Sequence, residues 1–178
     1  MCKRNIFAIL FAACLLLPVA TSCLDSDVED YSEWREQNDN YIDQLDKTEY
    51  ETVCAEWAPM NPVYMKWHND RSLTADNLMP MANSTVDCIY ELSNIEGTLI
   101  DQSYNSYTGD SIYTCSPQSN VIGFKVALLN MHVGDSVTVV IPYVSGYGLT
   151  GNGSVLPYSN LIFGLKLKAI QDFVKPNL

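Results

Sequence analysis

The sequence predicts an α+β domain, an antiparallel sheet with one short helix laid across its apolar face, and three stretches carry that expectation. In L-I-F-G-L-K-L-K-A-I (161–170), Leu161, Phe163, Leu165 and Leu167 fall on one side and Gly164, Lys166 and Lys168 on the other. That period of two is the mark of a half-buried strand. Ser136 to Ile141 is a nearly continuous β-branched run closed by Pro142, which suits a pleated surface. In F-K-V-A-L-L-N-M, residues Phe124, Ala127, Leu128 and Met131 recur at i, i+3, i+4 and i+7, which predicts a helix of about two turns. Gly134, in H-V-G-D, is expected to cap it.

The remaining elements are read in chain order. Pro59 and Pro62 are expected to end helical structure, after which Val63 to Trp67 reads as a first strand. Thr85 to Leu92 is a second, followed by a tight N-I-E-G turn and the short strand T-L-I-D. Residues 104–111 read as loop, and Ile112 to Cys115 as another short strand. The loop G-Y-G-L-T-G-N-G-S-V-L-P (146–157) holds four glycines and one aromatic. It is not a phosphate cradle, because no lysine follows the glycines and a proline stands where a helix should begin. A hairpin or crossover explains the glycines but not Tyr147, placed between two residues that cannot pack.

The N-terminus is organised differently. Lys3 and Arg4 precede an apolar stretch from Ile6 to Leu17 and small residues before Cys23, the pattern of a secretory signal over 1–22. Its end, V-A-T-S-C, resembles a lipoprotein signal-peptidase site in which Cys23 becomes the lipidated first residue, with Ala20 in place of the usual Leu; ordinary cleavage near Ser22 is the alternative. The acidic stretch after Cys23 resembles signals that send some Bacteroidetes lipoproteins to the cell surface. These likenesses imply an envelope location, lipid-anchored in the outer membrane. Between Leu24 and Ala58, twelve Asp and Glu stand against Arg35 and Lys47, whereas from Pro59 onward nine acids face six bases. The segment 23–58 is therefore read as an acidic tether plus an amphipathic helix from Asp30, with Trp34, Tyr41, Ile42 and Leu45 on one face. That face docks either on its own domain or on a partner.

Several chemistries are set aside. There is no basic face for nucleic acid. His68 and His132 adjoin predicted turns and neither belongs to a nucleophile signature. No His/Cys/Asp cluster has metal-ligand spacing, and no cofactor motif is present. Cys54, Cys88 and Cys115 remain once the first three cysteines are assigned to the signal and anchor; Cys88 and Cys115, both in predicted strands, either pair or stay as buried free thiols.

From about Val86 to Ile170 the chain resembles an FKBP-type peptidyl-prolyl cis-trans isomerase. V-I-G-F-K-V-A-L-L-N-M-H-V-G-D-S-V-T-V-V-I-P is similar to the family's V-I-x-G-W/F-x-x-A-L-x-x-M-x-x-G-x-x-x-x-x-x-I-P. G-Y-G-L-T-G-N-G-S-V-L-P is similar to A-Y-G-x-x-G-x-x-x-I-P, L-I-F-G-L-K-L to L-x-F-x-V-x-L, and Y-E-L-S-N-I-E-G-T-L-I-D-Q-S to Y-x-G-x-L-x-D-G-x-x-F-D-S-S. The resemblance implies an FKBP-like domain over 59–178, a curved antiparallel sheet wrapped on one short helix with an N-terminal helical extension. It implies isomerase activity on proline-containing segments of exported polypeptides, and macrolide ligands.

Carried over position by position, the resemblance places Tyr90, Asp101, Phe124, Tyr147 and Phe163 in a catalytic pocket. Val155 becomes a wall residue, Ile112 or Tyr113 another, and Val121 or Ile122 the backbone N–H donor to a substrate carbonyl. The sequence departs from the family at Ile100, where a phenylalanine is usual, at the shortened V-I-G-F, and at Leu92, where a glycine is usual. These departures leave a catalytically weak binding or chaperone module as the competing expectation.

Overall fold

The computed structural model describes residues 30–104 and 109–173; the expected signal, Cys23 and most of the acidic stretch lie outside them. The elements are helix α1 (Ser32–Asp43), strands β1 (Glu51–Ala55), β2 (Ala58–Trp67), β3 (Thr85–Ser93), β4 (Leu99–Gln102) and β5 (Tyr113–Cys115), helix α2 (Ile122–Leu129), and strands β6 (Ser136–Ile141) and β7 (Leu161–Asp172). Among the described residues the strands form one antiparallel sheet in the order β1-β2-β6-β7-β3-β4, with β5 also pairing with β3. β3 is thus bordered along its length by β7 on one side, and on the other by β5 at Val86–Cys88 and then β4 at Glu91–Ser93. This is the α+β, FKBP-like architecture that the sequence predicts.

The core lies between α2 and the concave face of the sheet. Leu161, Phe163, Leu165 and Leu167 are buried while Gly164, Lys166 and Lys168 are exposed, the alternation expected of β7. Phe124, Ala127, Leu128 and Met131 are all buried against it. Gly123 permits the close approach of α2 to β6, because a Cβ there would sit 2.2 Å from Ile141 Cγ2. The cap is not Gly134: α2 ends at Asn130, whose N–H reaches the Ala127 carbonyl while the next N–H, of Met131, reaches that of Leu128. Gly134 instead turns the chain into β6 at φ +100°, its N–H bonding Leu167 O, a conformation that costs glycine little.

The sheet also begins before residue 59. β1 lies inside the segment expected to be tether and helix, and β2 includes both prolines. Pro59 and Pro62 fall in the stretch between the paired residues Ala58 and Val63, next to a register shift in β1. A residue without an N–H is tolerated where the ladder is interrupted. The apolar face of α1 docks on its own domain. Trp34 Nε1 donates to Ser159 Oγ at 2.9 Å, and fully buried Asn38 takes the Asn160 N–H at 2.7 Å and its side-chain amide at 2.6 Å. α1 opens at Tyr31 rather than on a side-chain cap, with Asp30 accepting the Ser32 N–H.

Candidate functional site

The open end of the core is lined with rings. Tyr90 comes from β3, Tyr113 from β5, Phe124 from α2 and Phe163 from β7. The centroid of Tyr90 lies 5.3 Å from Tyr113, 6.2 Å from Phe124 and 5.7 Å from Phe163, and Phe124 and Phe163 are 4.9 Å apart, all edge-to-face. Such pairs gain from edge–face quadrupoles beyond the area they bury, so the rings hold one another in place. Above them is a cavity of about 360 Å³ whose lining also includes Leu92, Asp101, Val121, Tyr147 and Asn152.

The polar groups of the cavity are few and specific. Tyr90 donates its O–H to Asp101 Oδ2 at 2.7 Å, and Asp101 Oδ1 accepts the Gln102 N–H at 2.8 Å. Burial first, and then this bond, push the Tyr90 phenol above its ordinary value. Burial raises Tyr113 likewise. The Tyr147 hydroxyl has no partner among the described residues. Its loop is shaped by a 3-10 turn at Tyr143–Ser145 and by Gly148, at φ +68°, whose N–H returns to Tyr143 O. Gly151 allows the chain to close behind it, since a Cβ there would meet Val155 O at 2.2 Å.

Residues 77–168 match the model of the FKBP-type peptidyl-prolyl cis-trans isomerase family. The chain belongs to that family. A 60-residue segment is 40% identical to the macrophage infectivity potentiator of Trypanosoma cruzi, covering 33% of this chain and 31% of that protein; the match thus spans under a third of the relative's length. The fold is shared with a peptidyl-prolyl cis-trans isomerase from Pseudomonas syringae pv. tomato, at TM-score 0.64 and 22% identity over 79% of this chain and 96% of that one. It is also shared with FkpA from Escherichia coli, at TM-score 0.56 and 21% identity over 79% and 57%.

Against the FKBP expectations, the structure brings Tyr90, Asp101, Tyr113, Val121, Phe124, Tyr147 and Phe163 to one cavity. Four expected residues are not part of its lining. Ile100 points to the other side of β4 from Asp101, as neighbours in a strand must, and lines a different cavity. Val155 is buried in the core, bridged to Asn152 at the back of the loop. Ile112 precedes β5, and period two gives the pocket to Tyr113 instead. Ile122 is the exposed first residue of α2; what it offers is a backbone N–H without an intrahelical acceptor, directly after the lining residue Val121. The sequence reading missed Leu92, Ser119, Asn120 and Asn152 as lining residues. Leu92 was detectable, being two residues beyond Tyr90 on the same face of β3.

The described residues contain no group of His, Cys, Asp and Glu able to hold a metal, and no helix long and apolar enough to cross a membrane. His68 contacts Thr138 Oγ1 and His132 contacts Asn77 O, both away from the cavity. Cys88 and Cys115 are free thiols, set diagonally across the β3–β5 pair. Hydrogen bonding to Cys115, and then burial, push the Cys88 thiol well above its usual range.

Proposed function

We propose that this chain isomerises X-Pro peptide bonds by holding the proline ring in the aromatic box and letting a desolvated amide twist. The observation that carries the reading is the open cavity of about 360 Å³ bounded by both Phe124 and Tyr147: the rings form a lined vacancy instead of closing on one another. The uncatalysed barrier, roughly 18–20 kcal/mol, comes from amide resonance. No proton transfer or covalent intermediate is needed to lower it. The planar amide is more dipolar than the twisted one, so removing water from its carbonyl disfavours the ground state relative to the transition state.

The residues divide this work. Phe124, Phe163, Tyr90 and Tyr113 hold the pyrrolidine by contact area. Tyr147 donates its uncommitted hydroxyl to a flanking carbonyl, and the N–H of Ile122 serves a second. Asp101 is a positioning residue: by taking the Tyr90 proton in a hydrogen bond it fixes the ring that forms one wall. Substrates are proline-containing segments of exported polypeptides, and a macrolide of matching shape competes for the same box. The signal-like residues 1–22 and the lipobox-like Cys23 support a lipid-held position at the outer membrane.

The test is proline-peptide isomerisation by the purified chain, with and without a macrolide, and with Asp101→Ala and Phe163→Ala. The expected result is a macrolide-sensitive rate that both substitutions lower. No rate above background ends the enzyme reading. Ile100 lies outside the box, leaving that wall without a ring, and this favours a second reading as a peptide-binding module. Proline-peptide binding without turnover would select it.

A further inference from the structure

A second cavity, of about 270 Å³, opens beside the first, between α1, the β3–β4 turn and the 154–159 segment. We propose that it is a subsite for one large apolar side chain of the same peptide substrate, two or three residues from the proline; this rests on the isomerase reading above. Trp34, Leu99, Ile100 and Leu156 supply its apolar walls, and Asn94, Thr98, Ser154 and Ser159 its polar rim. The Trp34 ring is pinned by its bond to Ser159 Oγ, so the wall is preformed. Leu99 and Leu156 are 53% and 48% exposed, two leucines left in water at the mouth. The volume is below the roughly 300–1,000 Å³ of sites for whole small ligands, and fits a side chain.

Continuity with the first cavity identifies the occupant as the peptide. Asp101 lines one cavity and Ile100, the next residue of the edge strand β4, lines the other; Asn152 and Ser154 divide in the same way. Consecutive Cα atoms are about 3.8 Å apart, and an extended peptide advances about 3.3 Å per residue. A chain leaving the proline box over the edge of β4 therefore reaches the second cavity within two or three residues. Trp34 lies outside the family-matched segment 77–168, so α1 contributes to selection of sequence while the family segment supplies the proline box.

The experiment compares proline peptides carrying leucine or glycine two or three residues from the proline, on each side. At one of these positions leucine should raise kcat/KM about tenfold over glycine. In Leu156→Asn and in Trp34→Ala the preference should fall to about twofold or less, with the rate on the glycine peptide unchanged. Leu156 is exposed, so its variant keeps α1 docked even if Trp34→Ala loosens it; circular dichroism checks this. Normal turnover with no leucine preference, or a preference that survives both substitutions, overturns the subsite. Should no peptide be turned over, the isomerase reading fails and the same comparison is made by affinity. There, a leucine preference abolished by the variants upholds the subsite, and equal affinities reject it.

Discussion

Tyr90 and Tyr147 bring the same phenol to the cavity in two different states. Tyr90 has already committed its O–H as a donor to Asp101 in a 2.7 Å bond, whereas Tyr147 has no partner among the described residues and can donate to a ligand. Tyr147→Phe should therefore lower kcat/KM about three- to tenfold, the worth of one net hydrogen bond of about 1 kcal/mol, and leave the unfolding midpoint unchanged. Tyr90, held above its ordinary value by burial and Asp101, stays protonated at any ordinary assay pH, and no histidine lines the cavity. The pH profile of kcat/KM should thus be flat between about 6 and 9; a bell-shaped profile would point to a titrating group that this chemistry does not use. Gly123 tests the site through packing. Its missing Cβ leaves room for Ile141, so Gly123→Ala should cost about 1–3 kcal/mol by overpacking. The same change should raise KM by shifting Phe124, the next residue.

The elements differ in how far sequence alone defines them, and the difference follows the range of the forces involved. β6 and β7 were legible almost to the residue, because β-branching and alternation are local signals and one face of each strand is buried. β1 was not. Its burial pattern is irregular, and it is a strand because β2 lies beside it, prolines included. Within the site, Phe124, Tyr147 and Phe163 could be placed from motif order; Ile100 and Val155 could not, since one-residue parity in β4 and the fold-back at Asn152–Val155 decide which way each faces. The docking of α1 is less local still. It hangs on Asn38 and Asn160, 122 positions apart and both fully buried, with Asn160 Oδ1 taking the Tyr143 N–H in turn. Asn38→Ala leaves the buried Asn160 backbone N–H unpaired and should destabilise the fold by about 1–3 kcal/mol in urea unfolding, with α1 helicity lost first. A second clamp is Asp135, buried between residues 69–74, which follow β2, and the turn before β6. Burial acts to raise its pKa, but bonds from Thr74, His132 and Asn69 and the Arg71 guanidinium at 3.5 Å outweigh this and hold the carboxyl below its usual value. A depressed folded pKa means that the stabilisation is complete above about pH 4 and lost as pH falls through the folded value. Asp135→Ala should cost about 3 kcal/mol near neutral pH, and its stability should fall less than the wild type's on acidification below about pH 4.

At the scale of the whole molecule, three thiols sample the sheet from its edge to its centre and make its cooperativity measurable. Cys54 is exposed on β1, at the edge of the sheet; Cys115 is half-buried on the three-residue β5; Cys88 is fully buried on β3. β3 exchanges hydrogen bonds with β7 over its whole length and with β4 and β5 on its other side, so no short opening frees it. A thiolate is the reactive form, and the Cys88 thiol is also pushed up by Cys115 and burial, which slows its reaction a second time. Alkylation followed by peptide mapping should therefore label Cys54 at the rate of a free thiol. Cys88 should be labelled only through global unfolding, at a rate whose dependence on urea matches the equilibrium m-value. Cys115 should fall between them, because losing β5 leaves the β3–β7 pairing intact while removing Tyr113 from the box. If Cys88 instead reacts with the weak urea dependence of a local opening, β3 separates from its neighbours in the native state. The aromatic box would then be a transient arrangement and not the preformed cavity on which the isomerase mechanism depends.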